Sequence, residues 1–340
     1  MTKRFDRVLL SHGSGGRLMH DLIRDVFLKH FMNPYTGSTD DAAILPYMDG
    51  LVTFTTDSFV VDPLFFPGGN IGKLAVCGTI NDLVAVGAAP YCLSVGFIIE
   101  EGLWMKDLEQ IVHSMAEEAN NAGILIATGD TKVVEKGKCD KLFINTSGIG
   151  FVKHGNNRQS AISSICEGDH LIITGYIADH GMAVMAARNK MDSQLGFHSD
   201  CGSLNLLFNA ISFNNDRIKF MRDPTRGGLA GVLCELCENK SFGIMLNEEF
   251  IPVRPEVSGL CNMLGYDPLY VANEGKMVII VDKKNSNDLL VKLKQHPMGK
   301  DATLIGEVIS EHPGKVLLKT RIGGTRIVNM LSGDQLPRIC

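Results

Sequence analysis

The sequence predicts an α/β (α+β) protein of two domains, and three observations carry that prediction. The chain of 340 residues is long enough for two units that each bury a core. Strand-like and helix-like patterns alternate through both halves. Between them, "KHGNNRQSAISSICEGD" turns polar and rich in turn-formers, which marks a linker over residues 153–168.

In chain order, residues 1–38 form an N-terminal segment holding the glycine-rich loop "SHGSGGR". Residues 39–152 form the first domain. "LVTFTTDSFV" and "YCLSVGFIIE" are β-rich, and "NIGKLAVCGTINDLVAVGA" between them has helical apolar spacing. "MKDLEQIVHSMAEEANNAG" is a longer helix that stops on Gly123, followed by the strands "ILIATGD" and "KLFINTSGIGFV". The second domain, residues 169–330, has strands at "HLIITG", "KMVIIV" and "ATLIGEVI" and helices at "GMAVMAARNK" and "GGLAGVLCELCENK". Residues 331–340, with Gly333, Pro337 and few core-forming side chains, are expected to be a mobile tail. Fully extended it would sweep roughly 30 Å.

Composition narrows the function. A net charge of −5 offers no basic surface for nucleic acid. No stretch approaches a membrane span, and the first residues lack the apolar run of a signal peptide, so a cytoplasmic location is expected. Nine scattered cysteines fit reduced thiols better than a disulfide framework. "CELC" has no second ligand pair at zinc spacing and is expected to pack on a helix.

Aspartates flank the apolar segments of the first domain: Asp40, Asp41, Asp57, Asp62, Asp82 and Asp130. A single such residue is commonly a cap or turn former. Six of them at expected strand ends and helix mouths point to carboxylates converging on Mg²⁺ and phosphate. "SHGSGGR", with Gly15 and Gly16, can close over an anion but matches neither phosphate-loop spacing. Lys73 follows "PGGNIG" near a helix start, and Asp223, Thr225 and Arg226 precede a Gly-Gly pair at another. Glu274 in "NEGK" is either a solvated charge or a base.

The run "FTTDSFVVDPLFFPGGNIGKLAVCGTINDLVAVGA", with "GDTKVV", "KLFINTSGIG", "RDPTRGGL", "NEGK", "HPMGKDATLIGEV" and the closing "PRIC", resembles the HypE family of hydrogenase maturation proteins across essentially the whole chain. That family belongs to the superfamily of aminoimidazole ribonucleotide synthetase, selenophosphate synthetase and thiamine-phosphate kinase. The resemblance implies a two-domain PurM-like fold whose N-terminal domains pair into a dimeric β-barrel, a C-terminal α/β sandwich domain, and ATP with Mg²⁺ as cofactors. It implies that a HypF carbamoyltransferase loads Cys340 with a carbamoyl group, that ATP-driven dehydration converts it to a thiocyanate, and that a HypC–HypD complex accepts the cyanide. By match to its motifs, Asp41, Asp57, Asp82 and Asp130 are candidates for metal and phosphate, supported by Asn81 and Thr131, while Lys73 holds phosphate. Cys340, Glu274 and Lys132 are the catalytic candidates, with Glu274 favoured as base and Lys132 as an electrostatic stabiliser.

Two other readings compete. A related synthetase or kinase would act on a free small molecule and would not need Cys340; a reactive cysteine, usual in the glycine-rich loop of selenide-using relatives, is missing from "SHGSGGR". A metal-delivery chaperone would use Cys340, "CELC" and histidines, which are dispersed without ligand spacing.

Overall fold

The computed structural model describes residues 5–36, 42–46, 49–152, 162–191, 196–211, 218–331, 333 and 338–340. A helical stretch comes first: α1 (Arg17–Leu22), a π-helical turn at Ile23–Leu28, and α2 (Lys29–Phe31). Its Leu22, Val26, Phe27 and Phe31 are buried on one face, with Phe27 packed on Phe97.

The first domain continues as β1 (Leu51–Phe59), β2 (Phe65–Phe66), β3 (Gly69–Asn70), α3 (Ile71–Ala85), β4 (Ala89–Glu100), α4 (Met105–Ala122), β5 (Leu125–Val134) and β6 (Leu142–Val152). Helix α3 starts where the Asn70 side chain accepts hydrogen bonds from the N–H groups of Gly72 and Lys73, at 2.9 and 3.1 Å. It is buried almost all round because it lies between the sheet, α4 and the second domain. A side chain at Gly72 would come within 2.5 Å of the Ile111 carbonyl, so glycine permits the close crossing of α3 and α4. Helix α4 buries Leu108, Ile111, Val112, Met115 and Ala119 on one stripe and ends on left-handed Gly123, as its sequence predicts. The sheet order is β1-β6-β4-β5, with only β4 and β5 parallel.

After the linker come β7 (His170–Ile173), α5 (Asp179–Arg188), α6 (Asn205–Ala210), β8 (Ile218–Arg222), α7 (Gly228–Cys237), β9 (Gly243–Asn247) and α8 (Pro255–Leu264). They are followed by β10 (Val278–Val281), α9 (Lys283–Lys294), β11 (Thr303–Ile309), β12 (Val316–Lys319) and β13 (Thr325–Val328). These strands form a seven-stranded sheet ordered β13-β12-β9-β11-β7-β10-β8. The unbroken apolar run of β10 reflects burial on both faces: Ile279 and Val281 join the core shared with the first domain, while Val278 and Ile280 face a second core. One apolar core therefore runs through both domains, and the second domain closes a further core of its own on the other face of its sheet.

Other expectations shift in detail. The strand expected to end at Asp130 continues to Val134, because it stays paired with β4 as far as Glu100. None of the nine cysteines is in a disulfide; Cys237 is buried, and the Cys234 thiol is directed at the Val328 carbonyl, so "CELC" is packing. Among the described residues, no helix is long and apolar enough to cross a membrane.

Candidate active site

Four carboxyl groups meet where α3, β1 and the second domain come together. Asp57 lies on the face of β1 turned toward α3, opposite Thr146 in register, and shares a hydrogen bond with Asp82 of α3. Asp82 also accepts from the Thr55 hydroxyl at 2.8 Å. Burial, then the charge of Asp82, pushes Asp57 up to about 6, with Arg226 acting in the opposite direction. Burial likewise raises Asp82. Asp223, just past β8, is raised to about 7 by burial and then by Asp82. Glu274 is 2% exposed, and its Oε1 has no hydrogen-bond partner. Its carboxyl is held well above the usual range by burial first, with Cys201, Asp223, Asp200 and Asp57 adding to the shift. Such a site retains protons until a cation enters.

The surrounding frame is rigid. The Asn81 amide donates to the carbonyls of Gly202 and Glu274, both at 3.2 Å, while its oxygen accepts from Leu204 N–H at 2.8 Å. Asp200 accepts from the N–H groups of Glu274 and Gly275 and lies 3.5 Å from the Lys276 ammonium. Arg226 stands in the turn before α7, where Gly228 has a positive φ of 61°. A side chain there would meet the Leu269 carbonyl at 2.5 Å, so only glycine fits.

Two cavities open beside this cluster. One, about 410 Å³, lies between the β1 and β8 edges and is lined by Phe54, Asp82, Leu83, Phe220, Arg222 and Asp223 among others. The other, about 400 Å³, is bordered by Arg226, Gly227, Tyr270, Ala272, Ile339 and Cys340 among others. The tail thus borders the cavity that holds Arg226. Residues 338–340 are docked in this conformation: Ile339 is 3% exposed, and its carbonyl accepts from His180 Nε2 at 3.0 Å. The Arg338 carbonyl accepts from Arg188 at 2.9 Å, and the Arg338 guanidinium pairs with Asp140. The apolar Ile339 side chain, which the reading of the tail as core-poor underweighted, anchors it.

The remaining candidates divide. Asp57, Asp82, Asp223 and Glu274 form the acid cluster, and Cys340 borders the neighbouring cavity with Arg226, whose charge acts on Asp57 and Asp82. Asn81 belongs to the cluster's frame, because its amide is fully engaged with main chain. Asp130 and Lys132 are exposed on the opposite face of the four-stranded sheet, paired in register with Gly96 and Ile98. Alternation along β5 instead buries Thr131. Asp130 accepts from Thr131 N–H. Within one chain, Asp130 therefore cannot join Asp57 and Asp82 on one ion. Lys73 is held near the Gly68 carbonyl at the opposite end of α3 from Asp82, about 13 Å along the helix. Gly15 and Gly16 are exposed at the start of six-residue α1, in a loop that lies against β5 near Val133 and away from the cleft. Asp41 lies outside the described residues. Among those described, no group of three histidine, cysteine or acidic side chains could hold a metal ion.

The sequence reading missed Asp200, Ser199 and Arg188, and it took His180 only as a dispersed histidine. "HSDCG" carries none of the usual catalytic signals, and only the fold shows that it runs beneath both Glu274 and the tail.

The architecture is that of the AIR synthase related proteins: residues 39–152 match the N-terminal domain of that family and residues 167–319 its C-terminal domain. Over its whole length the chain is 45% identical to the carbamoyl dehydratase HypE of Rhodobacter capsulatus, covering 100% of both. A crystal structure of a hydrogenase maturation protein HypE in complex with ATP superposes with a TM-score of 0.92 at 44% identity, covering 98% of this chain and 99% of that one. The HypE chain of a HypE–HypF complex matches at 0.77 and 46% identity, covering 91% and 99%. Within the AIR synthase related proteins, the chain belongs to the HypE family of carbamoyl dehydratases.

Proposed function

We propose that the protein uses ATP to dehydrate a carbamoyl group carried on its own Cys340, forming a thiocyanate that supplies cyanide for hydrogenase maturation. The carrying observation is the docked tail: Cys340 shares a cavity with Arg226, whose charge acts on Asp57 and Asp82. ATP binding and partnership with a HypF carbamoyltransferase are carried over from relatives crystallised with ATP and with HypF. Transfer of the cyanide to a HypC–HypD complex rests on the family resemblance.

The thiocarboxamide oxygen attacks the γ-phosphorus of ATP, ADP leaves, and one N–H proton is lost. The C–O bond then breaks to release phosphate as the second N–H proton is removed and the C≡N bond forms. Glu274, buried with an unpartnered oxygen, is suited to accept a proton from that nitrogen once the cluster's charge is balanced. Arg226 offers positive charge to the phosphates. Asp57 and Asp82, which share a hydrogen bond, would hold Mg²⁺ as a pair, since that ion is commonly bound by one or two carboxylates with phosphates and water making up the rest; it would there screen the triphosphate.

Lys132 and Asp130 can act only across a dimer. Their sheet face exposes Val52 and Phe54, at 65% and 69%, in a β1 row that a second copy would cover. That surface supports the homodimer and the shared β-barrel.

Intact-mass measurement after carbamoylation tests the proposal. Adding ATP should convert the carbamoyl form of Cys340 to a species lighter by one water. Asp82→Asn should abolish ATP hydrolysis while carbamoylation persists. ATP-dependent turnover of a free small molecule that survives Cys340→Ala would overturn the carrier reading in favour of a free-substrate enzyme.

A further inference from the structure

The Arg338–Cys340 tripeptide is held by hydrogen bonds to its main chain, by the buried Ile339 side chain and by the Arg338–Asp140 ion pair. His180, fully buried on α5, donates from Nε2 to the Ile339 carbonyl at 3.0 Å, so its Nδ1 is the acceptor for the Ser199 hydroxyl at 2.8 Å. The Ser199 oxygen in turn accepts from Cys201 N–H at 3.0 Å. Phe66 packs edge-on against the imidazole. Arg188, about two turns further along α5, donates to the Asp62 carbonyl from Nε and Nη2 at 2.9 and 2.8 Å, and from Nη2 to the Arg338 carbonyl at 2.9 Å. Asp62 N–H also points at the Arg338 carbonyl, at 3.3 Å. The next residue after Ser199 is Asp200, whose two carboxylate oxygens accept from the backbone of Glu274 and Gly275. Ser199 N–H is itself clipped to the Pro67 carbonyl at 2.8 Å.

We infer that His180, Ser199 and Arg188 form a latch for the Arg338–Cys340 tripeptide, and that Ser199–Asp200 couples the latch to the Glu274 backbone, making tail docking and placement of the base one structural event. The inference rests on the reading of Cys340 as carrier and Glu274 as base, and it makes His180, Ser199 and Arg188 positioning residues. None of them touches the reacting atoms. Because the tail is a tethered substrate, a weaker latch lowers the fraction docked, so it should lower kcat while leaving KM for ATP unchanged.

The latch can be tested without turnover by the rate at which iodoacetamide alkylates Cys340, followed by peptide mass mapping on the full-length protein with neither ATP nor carbamoyl donor. His180→Ala should speed alkylation roughly fivefold, the loss of one net hydrogen bond. His180→Gln, which keeps a neutral donor, should recover part of the protection, and Arg188→Lys, which loses the guanidinium fork, should fall between it and wild type. Ile339→Ala alters only the tail side of the contact, so it decides the matter if His180→Ala fails to fold. Unchanged alkylation in folded His180→Ala and Ile339→Ala would overturn the latch. Faster alkylation with unaltered kcat for dehydration would overturn its coupling to Glu274. If alkylation responds but dehydration proceeds without Cys340, the carrier reading falls and the latch stands.

Discussion

Asn81 and Glu274 are joined across the two domains: the side-chain amide of a residue in the middle of α3 donates to the main-chain carbonyl of the proposed base, at 3.2 Å. Through that contact the helix bearing Asp82 also sets the position of Glu274, one helix placing groups that belong to different domains.

Asn81→Ala should therefore be costly. It removes one hydrogen bond from each of three backbone groups, of which the Glu274 carbonyl keeps a long bond from Gly202 N–H at 3.4 Å, for a loss of about 2–4 kcal/mol. Urea unfolding would measure it, and dehydration should fall together with stability. A loss below about 0.5 kcal/mol would show that water replaces the amide.

The acid cluster makes the ligand-free protein less stable as pH rises. Asp57 and Asp223 hold their protons to about 6 and about 7, against an ordinary value of 3.8. Between roughly pH 4 and pH 7 the folded chain binds protons that the unfolded chain has released, so stability falls through that window and stays reduced above it. Asp223→Asn should then raise Tm by roughly 2–5 °C at pH 8 and do little near pH 4, as read by thermal unfolding. Cation binding should release protons over the same range.

Glu274→Gln keeps the shape and removes the base. It should still bind ATP and accept the carbamoyl group but stall before thiocyanate forms. Normal thiocyanate formation, followed by mass spectrometry, would remove Glu274 from the mechanism.

Phe54→Glu places a charge on the exposed row of the edge strand β1. Light scattering should show a dimer becoming a monomer, with dehydration lost if Lys132 acts across the interface. A dimer that survives would show that the chains meet elsewhere.

Much of this architecture is legible in the residues. The strands at 51–60 and 142–152 and the helix ending at Gly123 follow from alternation, apolar spacing and a glycine stop. Asp57 and Asp82 emerge from the sequence as candidates because carboxylates beside apolar runs are conspicuous. What escapes is which face each residue takes. "GDTKVV" begins where the expected strand ends, yet pairing with β4 keeps it extended, and the two-residue alternation of a strand turns Asp130 and Lys132 away from Asp57. "HSDCG" escapes for the opposite reason: its role lies in short-range bonds to distant segments, which no periodicity records. The linker at 153–168 is only partly within the described residues, and the strands at 218–222, 243–247, 316–319 and 325–328 are too short or too mixed to stand out before their sheet is assembled.

The latch grips Arg338 and Ile339 by their carbonyl oxygens, one residue short of the sulfur. Such a grip is blind to cargo. Bare thiol, carbamoyl and cyano forms present the same two carbonyls and should dock with similar strength, so docking gives the cycle no direction. Direction must come from the irreversible loss of phosphate and from partners that bind the tail when it swings out, which leaves the protein a reloadable arm whose resting place is its own catalytic chamber.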